Sequence, residues 1–541
     1  MLPRILSKLL LLVSLDALLL ACEPLEPRGF DTADTDLAET VQTDVVELPE
    51  DALLADTSEL DVSPPTALAL EVGEVVTLAV ESDVAQTRLL AELGYEEFVV
   101  ILVSGLVSDN TSAFPYDLAL DDSAELRKVF PVDGCTVDED IWPQIPPVTE
   151  LPNPAVPIAV GATRSFWFSS GPGSQQLNAR AIAVGDTAVV WLDVASNMDS
   201  LFAKDFLSAF ENIVLPRSRT VFGQESDVDG DGRIHLFFTP RTYNVAVAFF
   251  SGCDLLEDPY CPQSNNAEML YLTPPDSIPP PYNTTTAITE ILTHELQHLI
   301  HFNRKVLRNP STDPWNDNMY LQEGFGGLAQ DVVGYQAGNL YVTKAGFDSI
   351  DDFSIADVIK DGGAYDSSRD GALRGGAYLF ARWLYDRAGG DAALVDGELL
   401  DRGGISFIHA LFDGPKTMGK ELSDQTNQTN EAITADFFTA LALTNRNEIG
   451  GSRPLNPCFA YLDTIIDPVT ARQRGASAYA NFHGQAMTGP AMQTLDTQDG
   501  SLRAGGVEYF SLVADGSSKE LGLRVDIPSA ARPWIRIARI K

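Results

Sequence analysis

THELQHLIHFNRKVLRNPSTDPWNDNMYLQEGFGGLAQD, residues 293–331, opens with an HExxH pattern formed by His294, Glu295 and His298. On an α-helix, residues four apart lie on one face about one turn apart, so both imidazoles can reach a single ion. Zinc accepts histidine nitrogens, and a catalytic zinc site uses three protein ligands and a water molecule. Glu295 points about 100° away from His294 around the helix axis, which predicts a general base beside that water.

The third zinc ligand must come from another part of the chain. A metzincin would carry Gly at position 301 and His at position 304, but this chain has His301 and Arg304 there. After a polar connection at 309–318, a second apolar-periodic segment begins with YLQEGF, residues 320–325. In that setting Glu323 resembles the third ligand of gluzincins, in which a second helix brings one glutamate to the HExxH helix.

The sequence around both motifs resembles bacterial hyicolysin-type zinc metallopeptidases. Their pattern is HExQH, then Asn, then a Leu-Asn-Glu-Gly box; here HELQHLIHFN is followed by YLQEG, with Gln322 in place of the Asn. The resemblance implies a zinc metalloendopeptidase with a gluzincin-like α+β domain, in which His294, His298 and Glu323 hold Zn²⁺. His301 is an additional imidazole on the same helix face, which we interpret as a neighbour of the site and not as a ligand.

Two alternatives compete with an active endopeptidase. In the first, the motif occurs by chance or is inactive, and the protein is a calcium-binding surface adhesin or scaffold. Three of only six histidines fall within 294–301, and a suitably placed glutamate follows, which argues against chance. The second alternative is an aminopeptidase, but no exopeptidase motif accompanies HELQH.

The composition restricts the classes of partner. The 541 residues are 45% apolar and 21% charged, enough for about two to four globular units with real cores. The formal net charge is −41, whereas binding of nucleic acid requires clustered Lys and Arg. The charge therefore argues against nucleic acid as a partner, and the resemblance to metallopeptidases implies a protein or peptide substrate.

The first 22 residues are typical of a bacterial export signal. Arg4 and Lys8 precede an apolar run at 9–20 that is too short to cross a bilayer, and Leu-Leu-Ala-Cys ends at Cys22. This ending resembles a lipobox, which implies lipidation of Cys22 and anchoring to the bacterial outer membrane, facing the periplasm or the cell surface. The alternative is an ordinary cleaved signal with an incidental cysteine.

The remaining chain divides into four predicted regions. Residues 23–63 form an acidic tether, since 31–61 carry eleven acidic and no basic residues and cannot bury a core. Apolar segments with a strand-like pattern predict a β-sandwich-like domain at 64–155. We interpret this domain as a propeptide, a carbohydrate-binding module or packing support. The metallopeptidase domain is placed at 156–450 and a C-terminal β-rich module at 451–541. The fold class is thus a multi-domain protein with a gluzincin-like α+β domain flanked by β-sandwich-like modules.

Two of the strands predicted within the metallopeptidase domain lie close to the HExxH segment in the sequence. Residues 234–238, IHLFF, and residues 268–272, EMLYL, are short apolar runs of the kind that forms strands. In gluzincins such a strand borders the substrate cleft. The resemblance therefore implies that 268–272 pairs with the backbone of a bound peptide.

The sequence DVDGDG at 227–232 resembles the front of a calcium-binding loop. Asp227, Asp229 and Asp231 occupy loop positions one, three and five, and a glycine follows at position six. Position twelve is Phe238, so the bidentate glutamate of an EF-hand is missing and a further ligand must come from another segment. The alternative is a glycine-rich turn on an acidic surface.

Four cysteines remain after Cys22, and in an exported protein they can pair in three ways. The short separation between Cys253 and Cys261 favours a local disulfide. Cys135 and Cys458 would then pair by elimination.

Three further residues are candidates for supporting roles. Gluzincins usually add a Tyr or His that stabilises the tetrahedral intermediate, and Tyr378, or secondarily Tyr365, is the candidate by resemblance. Asp331 lies two turns after Glu323 and could orient a ligand histidine through its ring N–H. The competing interpretation is ordinary packing for the tyrosines and a solvated helix face for Asp331.

Overall fold

The computed structural model describes most of the chain after residue 66. The described residues are 67–108, 111–132, 157–170, 173–257, 260–280, 282–308, 317–336, 340–362, 366, 368–446, 448–449, 456–459, 461, 464–479, 481–482 and 484–541. The predicted signal peptide with Cys22, the tether, Cys135 and Tyr365 lie outside them. No helix in the described ranges is both long and apolar enough to span a bilayer.

The chain enters the described structure through five strands. They are β1 (Val75–Leu78), β2 (Val84–Leu90), β3 (Glu97–Ser104), β4 (Ala113–Leu120) and β5 (Val129–Pro131). Every residue from Phe98 to Val103 in β3 is fully buried. An uninterrupted apolar run of this kind is typical of a strand that is covered on both faces.

A six-stranded sheet follows and supports the predicted metal-binding helix. Its strands are β6 (Thr163–Ser170), β7 (Gly173–Val184), β8 (Ala188–Asp193), β9 (Ile234–Phe238), β10 (Ala248–Phe250) and β11 (Met269–Leu272). The strand order is β10-β11-β9-β8-β7-β6, with β8, β9 and β11 parallel. The predicted strand at 234–238 is confirmed, and the one predicted at 268–272 begins one residue later.

Ten α-helices are found among the described residues, and most of them lie after the six-stranded sheet. They are α1 (Ser200–Ala209), α2 (Leu215–Phe222), α3 (Thr285–His301), α4 (Met319–Val333), α5 (Leu340–Asp348), α6 (Ile355–Ile359), α7 (Asp370–Arg387), α8 (Gly404–Asp413), α9 (Met418–Thr426) and α10 (Asn430–Leu443). Helix α3 packs against β10 and β11 on one side and against α4 on the other, and α4 packs against α7.

Two of the helices are extended by π-helical segments. Helix α3 is capped by Thr284, whose hydroxyl accepts a hydrogen bond from the Ala287 amide. Its last turns continue as a π-helical segment, Phe302–Leu307. Helices α1 and α2 are joined by a π-helical turn, Phe210–Val214.

Three two-stranded ribbons are found among the described residues after α7. They pair β12 (Asp391–Ala393) with β13 (Leu399–Asp401), β14 (Ile465–Ile466) with β15 (Gln473–Arg474), and β16 (Asn481–Phe482) with β17 (Gln485–Ala486).

The C-terminal strands complete a sandwich with the N-terminal ones. They are β18 (Gln493–Thr494), β19 (Thr497–Arg503), β20 (Val507–Val513), β21 (Glu520–Asp526) and β22 (Pro533–Arg539). One sheet has the order β18-β20-β3-β22-β1-β5 and the other β19-β4-β21-β2. The expected modules at 64–155 and 451–541 are therefore not separate: each sheet of one sandwich contains strands from both.

Strand β3 explains why the two ends of the chain combine. It pairs with β20 along one edge and with β22 along the other, so both its neighbours come from the C-terminal segment. Its residues alternate between two cores: Phe98, Val100 and Leu102 face the sandwich interior, whereas Val99, Ile101 and Val103 belong to the core shared with the helices. The sandwich and the helical unit are consequently joined by continuous apolar packing.

Candidate metal centre

Helices α3 and α4 bring the three predicted zinc ligands together. His294 Nε2 lies 3.1 Å from Glu323 Oε2, and His298 Nε2 lies 3.6 Å from Glu323 Oε1. One ligand atom from each of the three side chains lies within 4.8 Å of the other two. The side chains remain 11–16% exposed, so the cluster is in contact with solvent.

Glycines in α4 permit this close approach of the helices. A Cβ atom added at Gly326 would lie 2.5 Å from His294 Cε1, and one added at Gly324 would lie 2.5 Å from the Ala377 carbonyl oxygen. Helix α4 can therefore contact both α3 and α7 at positions where a larger residue would separate them. The Asn318 side chain caps α4 by accepting hydrogen bonds from the Tyr320 and Leu321 amides.

Arg374 is a member of the site that the sequence analysis missed. Its Nη1 donates to Glu323 Oε2 at 2.7 Å, and its Nε donates to Asp370 Oδ1 at 3.0 Å. Burial disfavours the Glu323 carboxylate, but Arg374 and the two imidazoles outweigh it and hold the pKa of Glu323 well below its usual range. Arg374, which lies far from the HExxH motif in the sequence, thus keeps Glu323 ionised.

Glu295 lies beside the three candidate ligands, held by the main chain of β10. Its Oε2 accepts a hydrogen bond from the Phe250 amide at 3.0 Å. Loss of hydration raises the pKa of Glu295 to about 7, and the Glu323 charge acts in the same direction, against the opposing effects of His298 and the amide. A carboxyl group with a pKa near neutrality can both accept and release a proton at neutral pH.

The strand that borders Glu295 is β10 and not the predicted segment at 268–272. Strand β11, which contains most of that segment, pairs with β9 on one side and with β10 on the other. Its backbone is therefore engaged on both edges, and the expectation that it pairs with substrate is wrong. Strand β10 forms the edge of the sheet in the described structure.

Tyr378 of α7 and Asp331 of α4 interact with each other and not with the three candidate ligands. The Tyr378 side chain is 1% exposed, and its hydroxyl donates to Asp331 Oδ2 at 3.3 Å. Asp331 also accepts hydrogen bonds from Arg382 Nη1 at 2.6 Å and from the Gly475 amide at 2.8 Å. The structure therefore does not bring Tyr378 to the candidate ligands, and Asp331 orients an arginine and a tyrosine instead of a ligand histidine.

His301 is turned away from the three candidate ligands. It is buried, and its Nε2 lies 3.1 Å from Asp317 Oδ2, while Asp317 Oδ1 accepts a hydrogen bond from the Met418 amide. His301 therefore joins α3 to the start of α9, which agrees with its interpretation as a non-ligand.

The predicted local disulfide is confirmed. Cys253 and Cys261 are bonded, with a Cα–Cα distance of 5.6 Å. Cys458 is also disulfide-bonded, and Cys135, its predicted partner, lies outside the described residues.

Comparison with known proteins finds a partial similarity to a metalloprotease. No protein-family model matches the chain. The chain is similar to the neutral metalloprotease ShpI of Staphylococcus hyicus, with 30% identity over 152 residues. This similarity covers 26% of the chain and 33% of ShpI, so the chain matches about one third of the length of that relative.

Proposed function

We propose that the protein is a zinc-dependent metalloendopeptidase of the gluzincin type that hydrolyses peptide bonds of extracellular proteins. The observation that carries this proposal is the convergence of His294 Nε2, His298 Nε2 and the Glu323 carboxylate, with Glu295 beside them. The partial similarity to a neutral metalloprotease supports the same reaction class.

The donor set suits zinc. Two imidazole nitrogens and one carboxylate are among the commonest ligands of catalytic zinc. His298 Nδ1 has no hydrogen-bond partner among the described residues, so its ring is not committed to another group by that nitrogen. We assign His294, His298 and Glu323 as the zinc ligands. Bound zinc would supply Lewis-acid chemistry, polarising the substrate carbonyl and making a water molecule more acidic.

Glu295 is the proposed general base and acid. It takes a proton from the attacking water and delivers it to the leaving amine, a sequence that a carboxyl group with a pKa of about 7 can perform. The Phe250 amide positions its carboxylate. Arg374 is a positioning residue, since it acts through Glu323.

Strand β10 is the proposed platform for the substrate backbone. An extended peptide can add to a sheet edge through main-chain hydrogen bonds. The last residue of β10, Phe250, already contacts Glu295, so a peptide aligned with this strand would pass beside the general base. This assignment replaces the one that resemblance implied for 268–272.

Export and membrane attachment through a lipid on Cys22 remain proposals from the sequence. Together with the acidic tether at 23–63, they would place the enzyme at the bacterial surface or in the periplasm. This location suits a protease with protein substrates outside the cytoplasm.

A comparison of Glu295→Gln with the wild type tests the proposal. Zinc content is measured by mass spectrometry, and cleavage of casein is followed in parallel. The proposal predicts about one zinc per chain in both proteins and a loss of activity of about 10²- to 10⁴-fold in the variant. Glu398→Gln makes the same chemical change at an exposed position and is the matched control.

Two outcomes would separate the competing interpretations. Equal zinc and equal cleavage in both proteins would remove Glu295 from the reaction. Zinc binding by the wild type without cleavage of any protein substrate would favour the inactive adhesin or scaffold.

A further inference from the structure

In the predicted calcium loop, aspartate side chains accept hydrogen bonds from backbone amides of the loop itself. Asp227 Oδ1 accepts a hydrogen bond from the Gly232 amide at 2.9 Å, and Asp229 Oδ1 accepts one from the Asp231 amide at 3.2 Å. Gly230 and Gly232 have positive φ values of 69° and 68°, which favour glycine. Such internal hydrogen bonds occur in turns with or without an ion and do not by themselves indicate a ligand.

Glu268 provides an independent indication of a cation at this loop. It lies 1% exposed immediately before β11, and its Oε1 accepts a hydrogen bond from the Val228 amide within the loop at 2.9 Å. Its Oε2 makes no hydrogen bond of good geometry among the described residues, and the Ser226 hydroxyl beside the carboxylate likewise has no well-aligned partner, although it lowers the pKa of Glu268. A buried carboxylate oxygen without a partner is costly, so this oxygen requires a cation or a proton.

Glu268 is directed toward the loop carboxylates. One oxygen each from Asp227, Asp229 and Glu268 lies within 4.8 Å of the other two. Burial raises the pKa of Glu268 to about 7, against the opposing effects of the Ser226 hydroxyl and the Val228 amide and with smaller contributions in the same direction from the charges of Asp229 and Asp227. These like charges repel one another, an effect that Arg164 Nη1, 3.9 Å from Asp229 Oδ2, offsets in part and that a cation between the carboxylates would remove.

Asp231 takes a different direction from the one the sequence pattern indicates. Its Oδ2 lies 3.4 Å from His235 Nε2, on the side where Arg164 Nη1 approaches the same imidazole at 3.3 Å. His235 Nδ1 accepts a hydrogen bond from Trp191 Nε1, so Nε2 is the nitrogen that can donate to the aspartate. Asp231 is therefore already paired with His235, whereas Asp229 Oδ2 lies farther from the same nitrogen, at 3.7 Å.

We propose that Asp227, Asp229 and Glu268 form a binding site for a divalent cation of the calcium type. All three contribute carboxylate oxygens, the donors that hard cations prefer. Glu268 supplies the acidic ligand that position twelve of the loop, Phe238, cannot provide. The site is thus assembled from two segments of the chain.

The cation would stabilise the sheet beside the candidate metal centre. The loop leads into β9 and Glu268 leads into β11, and these two strands pair in parallel. Strand β11 in turn pairs with β10, where Leu270 is opposite Phe250, the residue whose amide binds Glu295. Binding at the start of β9 and β11 therefore restrains the strand that positions the general base.

Calcium titration of the full-length, zinc-saturated protein tests this site without relying on peptidase activity. Isothermal titration calorimetry and the unfolding temperature are measured with CaCl₂ as the only added ligand. We expect binding, and a rise of several degrees in Tm when CaCl₂ exceeds Kd by about 100-fold. Glu268→Gln should weaken calcium binding on the order of tenfold or more, because it removes one of three charged ligands.

Three further variants make the result specific. Asp227→Asn keeps an oxygen for the Gly232 amide but loses the charge, so it should also weaken binding and provides a test if Glu268→Gln fails to fold. Glu508→Gln is the matched control, because burial also raises the pKa of Glu508 to about 7 at a position in the sandwich; it should bind calcium as the wild type does. Asp231→Asn should retain affinity within about threefold.

The proposal is overturned by any of three results. They are no heat and no Tm shift in the wild type, wild-type affinity in both Glu268→Gln and Asp227→Asn, or loss of binding in Asp231→Asn with retention in Glu268→Gln.

Discussion

The contact between Gly326 and His294 allows a sharp test of the candidate metal centre. In Gly326→Ala, the new Cβ would lie 2.5 Å from Cε1, 2.6 Å from Nε2 and 2.7 Å from Nδ1 of His294. Carbon atoms in ordinary contact are separated by about 3.5–4.0 Å. The imidazole or the whole of α4 must therefore move by about 1 Å, and either movement changes the distance between His294 and Glu323.

The expected effect is on function more than on stability. Alanine is favoured over glycine within a helix by about 1 kcal/mol, which offsets part of the cost of the contact. A displacement of about 1 Å in a positioned catalytic group can lower the rate about 10²-fold. We therefore expect kcat/KM on casein to fall about 100-fold, with weaker retention of zinc during dialysis against a chelator and a Tm within a few degrees of wild type.

Gly371→Ala is the matched control for this substitution. It makes the same change near the start of α7, where the added Cβ would meet Ala345 Cβ at an ordinary 3.5 Å. The control should keep wild-type activity and zinc content. Full zinc occupancy and full activity in Gly326→Ala would refute the argument that His294 occupies its observed position in the working enzyme.

Two further predictions concern charged groups. Arg374→Met should lower zinc affinity about tenfold, because Glu323 loses the cation that keeps it ionised and oriented. Arg374→Lys should recover part of the lost zinc affinity. Equal zinc affinity of the wild type and both variants in a chelator competition would contradict this role of Arg374. Burial raises the pKa of Asp254 to about 6 in spite of hydrogen bonds from Tyr271 and Asn265. Since this is above its value of about 3.9 in the unfolded chain, the folded state binds the proton more tightly, and the stabilisation is complete below about pH 4 and lost as the pH rises through 6. The free energy of unfolding should therefore fall by up to about 3 kcal/mol between pH 4 and 7 in urea titrations of the wild type relative to Asp254→Asn; parallel curves would contradict the shift.

The shared sandwich bears on the role of the N-terminal region. Strand β3 lies between β20 and β22, and its outward face packs in the core of the helical unit. Removal of 67–132 would leave both C-terminal strands without their central partner. Of the roles left open by the sequence, support by packing therefore agrees best with the structure, and a removable propeptide agrees least.

Local patterns determined those features that depend on residues close together in the chain. The spacing of His294 and His298 places both rings on one helix face because the helical repeat requires it. The short separation of Cys253 and Cys261 identified their disulfide, and the apolar run at 234–238 identified β9. In each case the feature depends on the backbone geometry of a few neighbouring residues.

Tertiary structure alone decided the features that join distant segments. Arg374 contacts Glu323, and Glu268 contacts the 227–232 loop, because helices and strands far apart in sequence pack together there. The same packing turns Tyr378 toward Asp331 and pairs the two ends of the chain in one sandwich. No periodicity in the sequence encodes these contacts, since they depend on which apolar faces are buried against each other and on where a glycine allows two helices to approach.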